Sequence, residues 1–173
     1  PTTMTLFQAF ILGIVQGLTE FLPVSSSGHL VLVPFLLGWQ LNPQQVFPFD
    51  TLVQMGTLVA VIIYFWQDLV AIIRAVLKGL AARQPFAAPQ ARLGWLLVLA
   101  TIPAGVAGLL LEDLIEAAFH SARATALFLL GTAALLLVAE WLGKRTRKLD
   151  SLTWLDALWV GLAQMLALFP GVS

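Results

Sequence analysis

The chain has 173 residues, of which 60% are apolar and 10% charged, with nine Lys and Arg against nine Asp and Glu and a mean hydropathy of +0.92. An ordinary soluble domain carries about 25% charged residues, so a soluble enzyme is excluded, and the sparse basic residues argue against nucleic acid as a partner. The absence of cysteine removes disulfides, a thiolate nucleophile and any Cys-based metal site.

No cleavable secretory signal is visible, because the first basic residue is Arg74. Thr5 to Thr19 is apolar; then come Glu20, Pro23, Ser25-Ser26-Ser27-Gly28 and His29, followed by a second apolar piece from Leu30 to Gly38. That second piece makes about 13 Å of helix at about 1.5 Å per residue, less than half of a hydrocarbon core about 30 Å thick. Irregular backbone at membrane depth survives only where protein or a wet cavity covers it. The segment from about 5 to 38 is therefore read as a re-entrant helix–turn–helix with a buried polar turn, the alternative being one kinked helix. Transmembrane helices are expected at about 51–77, 93–111 and 123–142, with Pro103 a kink in the second. The connection 67–92 holds Arg74, Lys78, Arg83 and Arg92, and 143–150 holds Lys144, Arg145, Arg147 and Lys148; 112–122 is purely acidic. Positive-inside bias makes the two basic loops cytoplasmic and puts 112–122 and 39–50 outside. The whole reads as an all-α polytopic membrane protein.

Shifted by 148 residues, the start of the chain falls on its end: Gly13 on Gly161, Gln16 on Gln164, Leu18 on Leu166, Phe21 on Phe169, Val24 on Val172 and Ser25 on Ser173. Three spans lie between the copies, so the second copy enters from the opposite side. That is the signature of an inverted-topology repeat, with a site at the repeat interface. On this reading 1–150 is the first repeat, and 151–173 opens a second that is cut at its turn.

Gln16 and Glu20 are four apart and share a helix face. An ionisable side chain at membrane depth costs about 2.5–3.5 kcal/mol on insertion scales, so Glu20 needs partners. Ser25, Ser26 and Ser27 stand at the start of a short helix, where serines cap well and free N–H groups bind phosphate or carboxylate. A hydroxyl, an imidazole and a carboxylate within ten residues supply a nucleophile, a general base and a charge orienter, and equally suit a phosphate ester. His120 reads as a solvated loop histidine, Glu140 as an interfacial end marker and Asp156 as a first-turn acid.

Gln16-Gly17-Leu18-Thr19-Glu20-Phe21-Leu22-Pro23-Val24-Ser25-Ser26-Ser27-Gly28-His29 resembles the first signature of the undecaprenyl-diphosphate phosphatase family, the bacitracin-resistance proteins of BacA/UppP type. Phe49-Asp50 with Gln54-Met55-Gly56-Thr57-Leu58 is similar to a further family stretch, and Phe169-Pro170-Gly171-Val172-Ser173 to the opening of the second signature, which continues with Arg-Ser-Gly. The resemblance implies a membrane hydrolase that converts the C55 polyprenyl diphosphate carrier to its monophosphate, recycles it for peptidoglycan synthesis and confers bacitracin resistance. It implies Glu20, Ser26 and His29 as catalytic, Ser26 being the candidate nucleophile and His29 the base or phosphate ligand. Gln16, Ser25, Ser27, Gly28 and Ser173 are implied as substrate-binding, and a divalent cation, Mg²⁺ or Ca²⁺, as held by Glu20 and Gln16. The expected partners are the lipid substrate and membrane lipids, with a homodimer left open. The expected place is the bacterial cytoplasmic (inner) membrane, with the site facing the periplasm or exterior. Gln16 stands where some members have Glu, and without the second signature's Arg the 173 residues alone are expected to be inactive. A lipid transporter or flippase is the rival reading, because inverted repeats with broken helices are also transporter architecture.

Overall fold

Every stretch expected to be helical is helical, but two boundaries differ from expectation. The computed structural model describes residues 3–143 and 146–173, and of Pro43 and Asp150 the backbone alone; Lys144 and Arg145 of the basic loop lie outside the described residues. Among the described residues there are eight α-helices and one 3-10 turn: α1 Leu6–Thr19, α2 Ser26–Leu36, α3 Pro43–Tyr64, α4 Trp66–Ala81, α5 Pro89–Leu110, α6 Glu112–Phe119, α7 Ala122–Leu142 and α8 Trp154–Leu166. Three of them, Gln44–Tyr64, Pro89–Leu110 and Ala122–Leu142, are long and apolar enough to cross a bilayer. The chain is a polytopic membrane protein.

The first difference lies at the start of α3. The segment 39–50 was expected to be an outer loop, yet α3 begins at Pro43. Asn42 accepts from the Gln44 N–H at 3.0 Å, and Pro43 stands where a missing N–H costs nothing, a helix start that Asn-Pro encodes. The second lies near Phe65, where the expected helix 51–77 divides into α3 and α4.

The chain forms two compact units. One runs to Val59, takes up again over Leu110–Gly143 and closes with Leu166–Ser173. Here α1 and α2 pack side by side as a hairpin, which excludes the single kinked helix. Helix α1 starts with a capping box, Gln8 N–H to Thr5 Oγ1 at 3.2 Å and Thr5 N–H to Gln8 Oε1 at 2.9 Å. At about 21 Å and about 17 Å, α1 and α2 are each too short to span. Val31 of α2 joins Ile115 and Phe119 of α6 in a small core, against which Phe47 and Phe169 pack; the Phe47 and Phe119 rings meet edge-on at 5.2 Å.

The other unit holds Ala60–Leu109 and Lys144–Met165. Helix α8 also opens with a Thr capping box, Asp156 N–H to Thr153 Oγ1 at 3.2 Å and Thr153 N–H to Asp156 Oδ2 at 2.8 Å. These two residues sit 148 places after Thr5 and Gln8, so the two motif copies share their helix start as well as their turn. Arg147 clamps Asp156 in two hydrogen bonds of 2.7 Å, and with the Thr153 donors it holds that carboxyl well below the usual carboxylate range. Gly161 lets α8 approach α5 closely: a Cβ there would stand 2.6 Å from the Ala100 carbonyl oxygen.

Candidate active site

The polar cluster gathers at the tip of the α1–α2 hairpin. Pro23 cannot continue α1, which ends one residue before Glu20. Ser25, with φ +59°, turns the chain and caps α2, its Oγ accepting from the Gly28 N–H at 3.3 Å.

Glu20 lies at the centre of the contacts. Its Oε2 accepts from Ser26 Oγ at 2.5 Å and from Gln16 Nε2 at 3.0 Å. Gln16, only 1% exposed, also donates to Thr57 Oγ1 of α3 at 3.3 Å. This chain of side chains fixes the carboxylate against the Ser26 hydroxyl, and the Ser26–Glu20 bond is the shortest in the cluster. A donor hydroxyl on a carboxylate is the arrangement in which a base withdraws a proton from a nucleophile.

His29 is engaged differently. Its Nδ1 lies 2.8 Å from the Ser25 carbonyl oxygen, so Nδ1 carries the proton and Nε2 is left for another partner. The group bonded to the Ser26 hydroxyl is thus Glu20 and not the imidazole.

The five residues expected to bind substrate fall into different settings. Ser25 is buried, and its hydroxyl is used inside the protein: it accepts from the Gly171 N–H at 3.0 Å and lies 3.4 Å from both the Val172 carbonyl oxygen and Ser27 Oγ. Ser25 therefore clamps the hairpin tip to the turn 169–173, joining the tips of the two motif copies. Gly28 is buried at this contact, where a Cβ would meet Gly171 Cα at 3.0 Å. Ser27 is half-buried, Gln16 supports Glu20 from below, and Ser173 is exposed.

Several contributors went unassigned in the sequence reading. Thr57, within the family-like stretch of α3, takes a hydrogen bond from Gln16, and Thr132 Oγ1 donates to the Gly171 carbonyl at 2.9 Å. The available signal was spacing: Thr125 and Thr132 are seven apart on apolar α7 and so share a face. Asp50, read as part of an outer loop, is 1% exposed inside α3, and its Oδ2 has no hydrogen-bond partner.

For a cation, the described residues contain no group of three or more His, Cys, Asp or Glu placed to hold a metal ion. They do offer the Glu20 carboxylate and the Gln16 Oε1, a buried oxygen without a hydrogen-bond partner. Both are hard oxygen donors of the type Mg²⁺ and Ca²⁺ take, although Gln16 turns its amide nitrogen and not Oε1 to Glu20.

Residues 9–173 match the family described as Bacitracin resistance protein BacA. The chain belongs to this family. Curated relatives named Undecaprenyl-diphosphatase include one from Chlorobium phaeovibrioides, 46% identical over 177 residues, and one from Thioalkalivibrio sulfidiphilus, 48% identical over 170 residues. A third, from Marinobacter nauticus, is 47% identical over 170 residues; each alignment covers 98% of this chain and 62% of the relative. The BacA-family chain thus spans a little under two thirds of the length of these relatives. No solved structure matches it.

Proposed function

We propose that the protein to which this BacA-family chain belongs is an undecaprenyl-diphosphate phosphatase, releasing phosphate from the C55 polyprenyl diphosphate carrier and leaving the monophosphate for reuse in peptidoglycan synthesis. The observation that carries the proposal is the 2.5 Å contact of Ser26 Oγ with Glu20 Oε2 at the start of α2, taken with the name its relatives bear.

In the mechanism, Glu20 takes the Ser26 proton while Ser26 Oγ attacks the terminal phosphorus. The P–O bond to the bridging oxygen breaks, and polyprenyl monophosphate leaves. Water then attacks the phosphoserine and the bond from phosphorus to the Ser26 oxygen breaks; that oxygen is reprotonated from Glu20, and both protons of the water leave with the inorganic phosphate as H₂PO₄⁻. Backbone N–H groups in the first turn of α2 face a doubly anionic phosphoryl group favourably, and the His29 ring joins them only when Nε2 also carries a proton. Glu20 and Gln16 would hold a divalent cation, which supplies charge neutralisation for the phosphate oxygens when bound. The two capped helices ending in matching turns support an inverted repeat whose tips meet at Ser25 and Gly171. The acidic and basic loops support a site opening to the exterior of the cytoplasmic membrane.

The test is phosphate release from polyprenyl diphosphate by the full-length protein in detergent micelles. Stoichiometric phosphate and monophosphate are expected. Lipid movement across vesicles with no phosphate release would overturn the proposal and favour a flippase.

A further inference from the structure

We infer that α4 is an in-plane helix that seats itself in an anionic lipid surface, through a basic stripe unrelated to the hairpin site. Together α3 and α4 cover residues 43–81, about 58 Å as a straight rod, nearly twice the hydrocarbon thickness. Helix α3 alone spans, so α4 has no place inside the core. The helix is interrupted at Phe65, whose φ of −95° and ψ of 17° depart from helical values.

The side chains of α4 are sorted by face. Ile72 and Val76 lie against α5, where a Cβ on Gly94 would meet their Cγ2 atoms at 2.9 and 2.6 Å. Trp66, Ile73, Leu77 and Leu80 repeat at helical spacing beside them, yet are 60, 56, 60 and 49% exposed. The other side carries Gln67, Arg74 and Lys78, with Asp68 as the one acid in the helix. The end of α4 adds a third cation. The Gln84 N–H reaches the Gly79 carbonyl at 2.8 Å and the Arg83 N–H the Leu80 carbonyl at 3.1 Å, a Schellman stop. Its left-handed position, φ +55°, is filled by Arg83 where glycine is the unstrained choice. An apolar stripe with an exposed Trp, flanked by three cations and one acid, fits a helix lying in the headgroup plane of an anionic leaflet.

The sequence holds no cysteine, so a fluorophore on Leu77→Cys or Ile73→Cys reports one place. In mixed vesicles, brominated phosphatidylglycerol is expected to quench either label more strongly than brominated phosphatidylcholine at equal fraction. Each basic residue contributes up to about fivefold enrichment, and the ratio falls toward one in the Arg74→Gln/Lys78→Gln variant. A label on Ala71→Cys, on the polar side, is quenched by aqueous iodide instead. Equal quenching by the two lipids in the otherwise unaltered chain would overturn the inference. So would a Leu77 label that neither lipid quenches, which would mean that protein, from a second copy or another segment, covers this face.

Discussion

Replacing Glu20 by Gln is expected to lower phosphate release by the full-length protein by about 10²–10⁴-fold, the range for losing a positioned general base. The substitution keeps the shape of the side chain and leaves an oxygen that can still accept from Gln16 or Ser26, so the fold is conserved while proton removal is not. The loss is expected in kcat more than in KM, because the Ser26 proton moves only as the bond to phosphorus forms. Ser26→Ala removes the attacking oxygen itself and belongs in the same range. Ser25→Ala is expected to act otherwise: its hydroxyl is buried among Gly28, Gly171 and Val172, so the variant loses thermal stability, about 0.5–2 kcal/mol for a helix cap. A Glu20→Gln enzyme within threefold of the parent would remove Glu20 from the chemistry.

Gly171→Ala is expected to be the most damaging small substitution at the tip. Gly171 has φ +95°, a conformation that costs an L-residue about 1–2 kcal/mol. The added Cβ would collide with the Thr125 carbonyl oxygen and stand 3.0 Å from Phe128 Cβ and 3.1 Å from the Leu129 nitrogen. Two of these contacts are backbone atoms of a long helix, which cannot give way as a flexible side chain can, and overpacking adds about 1–3 kcal/mol. The turn that would move also supplies the Gly171 N–H to Ser25 and accepts from Thr132. A melting temperature lowered by several degrees in detergent is the expected reading, with Gly28→Ala in the same direction but smaller. An unchanged melting temperature for Gly171→Ala would mean that the tip-to-turn clamp contributes nothing to stability.

Much of this was legible in the residues. The polar run from Gln16 to His29 between two half-length apolar pieces announced a hairpin, because only a turn can place so many polar groups where neither flank spans a membrane. Its pairing of Gln16 with Glu20 follows from four-residue spacing alone. Asp50 lies inside α3 because Asn42-Pro43 starts the helix ahead of the uncharged stretch that begins at Thr51, a local signal that charge and hydropathy do not carry. The break at Phe65 has no sequence punctuation, neither Gly nor Pro, and hydropathy runs through it. The clamp of Ser25 on Gly171 was beyond reach for a different reason: a contact 146 residues apart leaves no local trace, and a serine triplet does not say which hydroxyl faces inward. The exchange of partners, Glu20 and not His29 on Ser26, turns on side-chain direction, which spacing within a turn leaves undetermined.

The central claim is that Glu20 and Ser26 act as one unit on a lipid diphosphate, and a double-mutant cycle tests it most directly. Phosphate release would be measured for the full-length protein, for Ser26→Ala, for Glu20→Gln and for the two together. If the carboxylate works only through the hydroxyl it touches, the double variant is no slower than the worse single one, since residues of one catalytic unit are far from additive. Losses that multiply would contradict the account, as would a Ser26→Ala enzyme that turns over at the parent rate.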